Sequence, residues 1–172
     1  MKITDFIDFK QIDSSKILEK VKELDESFWE KAETVNSTNN VRETDQLTIT
    51  NNPVFEFFNK TAYEIIQPLV YEYCVKHKVP ISEDEGFRIL RYGVGQHYKI
   101  HVDSNKSIHR DISLVWVLNN DFEGGDLVFS DLGIKLDLLK HNFVLFPSYF
   151  LFKHEVLPVT KGTKYSLVTW LK

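Results

Sequence analysis

The sequence is poor in sulfur and in uninterrupted apolar runs. One cysteine, Cys74, and one methionine occur in 172 residues, so no disulfide can close within the chain and no knuckle of several thiolates can hold zinc. Nowhere do about eighteen apolar residues follow one another, which leaves no candidate for a bilayer-spanning helix. Residues 1–16 (MKITDFIDFKQIDSSK) are interrupted by acids throughout, so no signal peptide is expected. An excess of basic charge is also missing. Against 25 Asp and Glu stand 21 Lys and Arg, a net charge of −4, which disfavours a nucleic-acid partner held through its phosphates. No internal repeat and no low-complexity tail occur. These absences point to a cytoplasmic protein without a membrane partner. Its hydrophobic share of 42% and aromatic share of 13% suffice for one core, hence a single domain over residues 1–172.

What is present divides near residue 85. Residues 13–35 begin with Asp and Ser and place Ile17, Leu18, Val21, Leu24, Phe28 and Trp29 at spacings of three and four, which predicts an amphipathic helix. Residues 33–52 are rich in Asn and Thr and read as a long loop. Pro53 opens a second helical stripe, 53–78, through Phe55, Phe58, Ala62, Ile65, Ile66, Leu69, Val70 and Tyr73, with a kink or split expected at Pro68. From residue 86 short alternating or apolar runs are separated by Gly, Asn, Asp and Pro. The candidate strands are 86–92, 96–103, 110–118, 125–129, 133–138, 142–146, 150–157 and 163–171. The expected fold is mainly β with N-terminal helices: a double-stranded β-helix, or jelly roll, backed by helices. Residues 1–85 would supply helical support and a lid loop, and residues 86–172 the core.

Six histidines occur, at 77, 97, 101, 109, 141 and 154. Within the strand 96–103, His101 and Asp103 lie two apart, and a two-residue period puts both side chains on one face. A further histidine from another strand, with His154 the candidate, would complete a facial set of two imidazoles and one carboxylate that suits Fe(II) and leaves coordination positions open. Spacing alone leaves open a chance His-Val-Asp tripeptide beside a surface turn. His97 shares parity with His101 and is expected at the cavity wall or rim. His77 closes a helix end, His141 lies in a polar turn, and His109 falls in the connection 104–109.

The surrounding text narrows the choice. Residues 91–103, RYGVGQHYKIHVD, resemble the first metal-binding strand of the Fe(II)/2-oxoglutarate-dependent oxygenases, prolyl 4-hydroxylase branch. Residues 122–127, FEGGDL, resemble that branch's Gly-Gly turn, and residues 154–166, HEVLPVTKGTKYS, its second block. The resemblance covers residues 88–172; nothing specific matches in residues 1–85.

By that resemblance His101, Asp103 and His154 are the iron ligands and catalytic set, and Lys164 is the cation for the far carboxylate of 2-oxoglutarate. Lys161 competes for that role, but it precedes Gly162 in an expected turn, where a solvated lysine is ordinary. Tyr92 and Ser166 would also reach the cosubstrate, although a core aromatic and a hydroxyl satisfied by backbone describe them as well. Tyr98, Arg110 and Trp170 match positions around a peptide substrate, Trp170 being also a natural core residue of a last strand. Two positions depart from the pattern. Leu127 stands where several relatives carry a hydroxyl that helps hold 2-oxoglutarate, which places more weight on Lys164. Lys172 stands where a substrate-contacting histidine can occur, which bears on proline as the target. The implied activity is hydroxylation of an unactivated carbon with Fe(II), 2-oxoglutarate and O2, and with ascorbate as an accessory reductant. A prolyl residue of a peptide or protein is the expected substrate. Another peptidyl side chain, a free amino acid or small molecule, an alkylated nucleobase, and a noncatalytic binding module are the alternatives. Retention of Asp103 favours hydroxylation over halogenation. Oligomeric state is not legible.

Overall fold

In the computed structural model, residues 2–32, 41–138 and 140–172 are described. In chain order the strands are β1 (Asp8–Lys10), β2 (Glu30–Lys31), β3 (Arg42–Glu43), β4 (Asp45–Thr48), β5 (Arg88–Tyr92), β6 (His97–His101), β7 (Ile112–Val117), β8 (Glu123–Gly124), β9 (Leu127–Phe129), β10 (Ile134–Lys135), β11 (Phe143–Pro147), β12 (His154–Val156), β13 (Val159–Lys161) and β14 (Lys164–Leu171). The helices are α1 (Ser15–Lys22) and α2 (Glu56–His77). The larger sheet runs β1-β11-β7-β14-β5-β4-β2, the smaller β10-β9-β12-β6-β3, and β8 pairs with β13. Antiparallel sheets facing each other in this way form the jelly roll, with α2 laid on the outer face of the larger sheet. Among the described residues no helix is long and apolar enough to cross a membrane.

The alternation of β14 explains the layering. Leu167 and Leu171 turn outward into a core shared with Phe58, Ala62 and Ile66 of α2, while Val168 and Trp170 turn inward between the sheets with Leu90 and Tyr92. Both faces of the strand are therefore buried, and truncating the fully buried Leu167 to Ala should cost about 2–5 kcal/mol. The inward face also carries Lys164 and Ser166, so the strand that holds the helical layer also holds polar groups inside the sandwich.

Several elements depart from the sequence reading. The helix expected over 13–35 stops at Lys22, because Asp25 accepts from the Ser27 N–H and opens a short 3-10 turn. Phe28 then meets Phe55 edge-on at 5.2 Å, and Trp29 meets Tyr165 at 6.0 Å, contacts that replace further helix. Helix α2 runs unbroken through Pro68, which is exposed, so the carbonyl it deprives of a partner faces solvent while Ile66 anchors the buried side. Of the loop expected over 33–52, residues 33–40 lie outside the described residues, but β3 and β4 are strands. Buried Leu47 and Ile49 sit two apart and zip β4 onto β5, while β3 pairs with β6. The strand expected over 150–157 begins at His154, after a 3-10 turn. Strand β1, paired with β11, was not anticipated.

Candidate metal centre and cosubstrate pocket

His101 ends β6 and His154 begins β12, and the two are direct partners across that antiparallel pair. Asp103 follows two residues beyond His101, and the ligand atoms of the three side chains lie within 4.8 Å of one another. Among the described residues no other such group occurs. Each imidazole is oriented by the carbonyl two residues before it. His101 Nδ1 lies 2.8 Å from the Lys99 carbonyl and His154 Nδ1 lies 3.1 Å from the Phe152 carbonyl. A carbonyl only accepts, so both Nδ1 atoms carry the proton and both Nε2 lone pairs face inward. There each Nε2 is 3.5 Å from an oxygen of Asp103. Two imidazoles whose Nε2 atoms converge on one carboxylate suit a divalent transition metal.

The electrostatics agree with that state. Burial drives the His154 pKa down to about 4, with Asp103 opposing, so the ring is neutral as a ligand must be. Burial works against ionisation of Asp103, but His154, His101 and a hydrogen bond from Ser113 hold its pKa well below the usual carboxylate range. Ser113 Oγ donates to Asp103 Oδ2 at 2.6 Å and lies 2.8 Å from Ser148 Oγ. This hydroxyl pair, carried by β7 and by the end of β11, was missed in the sequence because single serines have no periodic signature.

A bulge in β6 decides which neighbours share the site. His154 lies opposite His101, yet Val156 lies opposite Tyr98, so four residues of β6 span three of β12. Parity therefore switches between His97 and His101. His97 lies outside the cavity, whereas Tyr98 lines it and stacks on His101 with ring centroids 3.5 Å apart. The alternation that placed His97 at the wall is overturned by this single inserted residue. The other histidines lie apart from the cluster: His77 packs against Phe6 and Tyr73, His141 against Phe9, and exposed His109 is 3.5 Å from Asp111.

The cavity continues along the inward faces of β5 and β14. Lys164 is 1% exposed, and its Nζ donates to the Gly125 carbonyl at 2.6 Å. Burial lowers its pKa to about 7, with Asp126 opposing in part. Ser166, two residues on and on the same face, has a buried Oγ with no hydrogen-bond partner. Tyr92 pairs with Lys164 across the ladder, and burial raises its phenol to about 12. Lys161, by contrast, is exposed and paired with Glu123 at 2.8 Å. The Gly-Gly turn brings its backbone this close because neither residue has a side chain: a Cβ on Gly124 would lie 2.4 Å from the Pro158 carbonyl, and one on Gly125 would lie 2.9 Å from Val159 Cγ2.

Trp170 lines the cavity, with Arg110 stacked 3.8 Å from its ring centroid. That guanidinium is already engaged. It forms two hydrogen bonds to Glu85, at 2.9 and 2.5 Å, and one to the Asp103 carbonyl at 3.3 Å. Arg110 thus braces the backbone of the Asp103 segment and covers a ring that lines the cavity. The connection 104–109 beside it is tied by Asn105, which accepts from the Ser107 and Ile108 N–H groups. The same cavity is lined by Arg42, which sequence reading left in a loop; Leu47 and Ile49 two apart were the available signal for strand there.

Residues 87–172 match the family model of the 2OG-Fe(II) oxygenase superfamily. The chain belongs to this superfamily. A PKHD-type hydroxylase of Idiomarina loihiensis is 34% identical over 90 residues, which cover 49% of this chain and 40% of that protein. The match thus spans less than half of that relative's length. In fold, a Trichoplax adhaerens prolyl hydroxylase solved with a hypoxia inducible factor peptide fragment has a TM-score of 0.81 at 20% identity, covering 98% of this chain and 84% of that one. A viral collagen prolyl hydroxylase of Paramecium bursaria Chlorella virus-1, solved with 2OG, has a TM-score of 0.72 at 19% identity over 99% and 98% of the two chains.

Membership of the superfamily implies Fe(II), 2-oxoglutarate and O2, and the residues present fit the first two. Two Nε2 atoms and a carboxylate make the donor set that the metal needs. A buried ammonium with one carbonyl acceptor, and an unpartnered hydroxyl beside it, make a cradle for a carboxylate inside an apolar sandwich.

Proposed function

We propose that this chain is an Fe(II)- and 2-oxoglutarate-dependent dioxygenase that hydroxylates an unactivated carbon, that of a prolyl residue in a peptide or protein. The observation that carries the reading is the convergence of two Nδ1-protonated imidazoles on Asp103 in a cavity also lined by a buried lysine whose Nζ donates only to the Gly125 carbonyl. His101, Asp103 and His154 hold the metal. Lys164 neutralises the far carboxylate of 2-oxoglutarate, Ser166 donates to it, and Tyr92 closes the pocket over it. Fe(II) bound there supplies the redox chemistry, in which O2 and 2-oxoglutarate convert C–H to C–OH with release of succinate and CO2.

The chain's own contribution is orientation and exclusion of water. Leu127, Val156 and Leu114 keep the cavity walls apolar, so the charge of Lys164 acts at low dielectric. Tyr98, Arg110 and Trp170 frame the mouth where substrate enters. The peptide assignment is supported by the names of relatives and by the peptide held in the Trichoplax structure. Residues 1–172 act as one unit in this reading, since α2 covers the outer face of the sheet whose inner face carries Lys164. A cytoplasmic setting suits the unpaired Cys74.

The test is succinate release by the metal-loaded protein against proline-containing peptides, free amino acids and alkylated oligonucleotides, with mass spectrometry of each. A gain of one oxygen on a prolyl residue is expected. Oxidation of an amino acid or nucleobase with every peptide untouched would overturn the substrate assignment, and the absence of any 2-oxoglutarate decarboxylation would overturn the enzyme.

A further inference from the structure

The chain has four arginines, and they divide into two kinds. Arg91 pairs with Glu26 and Asp45, and Arg110 pairs with Glu85. The side chains of Arg42 and Arg88 have no hydrogen bond and no ion pair among the described residues, and Arg42 Nε is fully buried without an acceptor. Their guanidinium groups lie instead over aromatic rings that line the cavity, Arg42 at 5.0 Å from the Tyr98 centroid and Arg88 at 5.2 Å from that of Trp170.

These two cations share one neighbourhood. Burial, together with repulsion from Arg110 and Arg42, lowers the Arg88 pKa, and the acid that opposes this is Glu85. Glu85 is already taken by Arg110 and lies 3.5 Å from Lys172 Nζ. Asp103 is committed to the imidazoles. Beside Tyr98 and Trp170 the described residues therefore leave two half-buried guanidinium charges without a paired acid, at an energetic cost that an incoming anion would relieve.

The cosubstrate does not meet this need. On the ladder, Lys164 lies opposite Tyr92 and Val168 opposite Arg88, so the positions of Tyr92 and Arg88 are about 13 Å apart along β5. The Arg88 guanidinium is directed further away, over Trp170. A diacid seated on Lys164 ends well short of it.

We propose that Arg42 and Arg88 form an anion subsite at the mouth, which receives the carboxylate of an acidic side chain flanking the residue to be hydroxylated. This rests on the peptide hydroxylase reading above. Planar guanidinium groups held on aromatic faces are poised for two-pronged contact with a carboxylate. A phosphate would satisfy the same donors. The net charge of −4 favours a single acidic side chain over a polyanion.

The experiment is fluorescence anisotropy on the protein loaded with Mn(II) and 2-oxoglutarate. The probes are proline-containing peptides that differ only in carrying Asp, Asn or Lys within a few residues of the proline, plus a labelled single-stranded oligonucleotide. Asp peptides should bind at least about tenfold more tightly than Asn peptides at one flanking position, and Lys peptides most weakly. Arg88→Gln and Arg42→Gln should each shrink the Asp-to-Asn ratio, and Arg88→Lys should restore part of it, in variants whose thermal melts match the parent. Equal binding of Asp and Asn peptides, a ratio unchanged in both Gln variants, failure of every peptide to bind, or tighter binding of the oligonucleotide would each overturn the subsite. The enzyme reading fails separately, through loss of 2-oxoglutarate decarboxylation in the Fe(II) protein, a readout that peptide selectivity does not touch.

Discussion

Tyr98 lies flat on His101, its ring 13° from parallel and 3.5 Å away between centroids. Residues three apart on a regular strand point to opposite faces, so this stack exists because of the bulge in β6. The phenol ring limits how His101 can swing about its side-chain bonds, while the Lys99 carbonyl fixes the tautomer. Tyr98→Phe should keep Fe(II) affinity close to that of the parent. Tyr98→Ala should weaken it roughly tenfold or more, the scale of an orienting contact to a metal ligand. Titration with Co(II), followed by its visible absorption, checks the pair; equal affinities would mean that the stack orients nothing.

Ser113→Ala should act on the same metal through the carboxylate. It removes the donor to Asp103 Oδ2 and leaves Ser148 without its partner. Metal affinity should fall about 10–100-fold, with a smaller loss for Ser148→Ala. Unaltered affinity in Ser113→Ala, measured by metal competition, would remove this hydroxyl pair from the support of the site.

The buried lysine predicts a pH dependence of cosubstrate binding. Lys164 titrates near 7 in the fold against 10.5 for an ordinary lysine, so between those values the unfolded chain binds more protons and stability rises with pH. A bound 2-oxoglutarate dianion favours the ammonium and raises its pKa again. Binding above pH 7 therefore takes up a proton, and affinity should fall by up to about tenfold per pH unit. Calorimetry in buffers of different ionisation enthalpy measures that proton directly. Lys164→Ala should cost about 2–5 kcal/mol of 2-oxoglutarate binding. Lys161→Ala, which breaks an exposed pair, should cost under about 1 kcal/mol of stability.

Arg110→Ala should harm more than substrate recognition. It leaves Glu85 with only the longer contact to Lys172, uncovers Trp170 and removes the donor to the Asp103 carbonyl. A stability loss of about 3 kcal/mol is expected for breaking a pair this well buried. Peptide-coupled and uncoupled 2-oxoglutarate turnover should then fall together. Thermal melts and succinate release decide it: an unchanged melting temperature with only coupled turnover lost would make Arg110 a substrate contact alone.

The cosubstrate side of the site was legible because β14 is long and regular. The resemblance marks Lys164, Ser166 and Trp170 as site residues, and the alternation of β14 carries all three on one face. The failures have equally local causes. His97 was put at the cavity wall because a bulge leaves no mark in a period-two pattern. Arg42 was hidden in an Asn- and Thr-rich stretch whose strand character comes from pairing with β5 and β6, a long-range effect. The early end of α1 is likewise tertiary, since Phe28 and Trp29 continue the helical spacing yet spend their apolar surface on Phe55 and Tyr165. Arg88 was read as part of β5 and given no role, because a missing counter-charge is visible only in three dimensions.

The two imidazole tautomers are set by carbonyls two residues upstream in the chain, so nothing about them awaits the arrival of an ion. A centre preformed to this degree discriminates little between divalent first-row cations, whose intrinsic preference for such ligands rises from iron through cobalt and nickel. Which ion it carries is then decided by supply. Protein made in a zinc- or nickel-rich medium should emerge folded, loaded and inert, and its specific activity would report the culture's metal content as much as the enzyme's own competence.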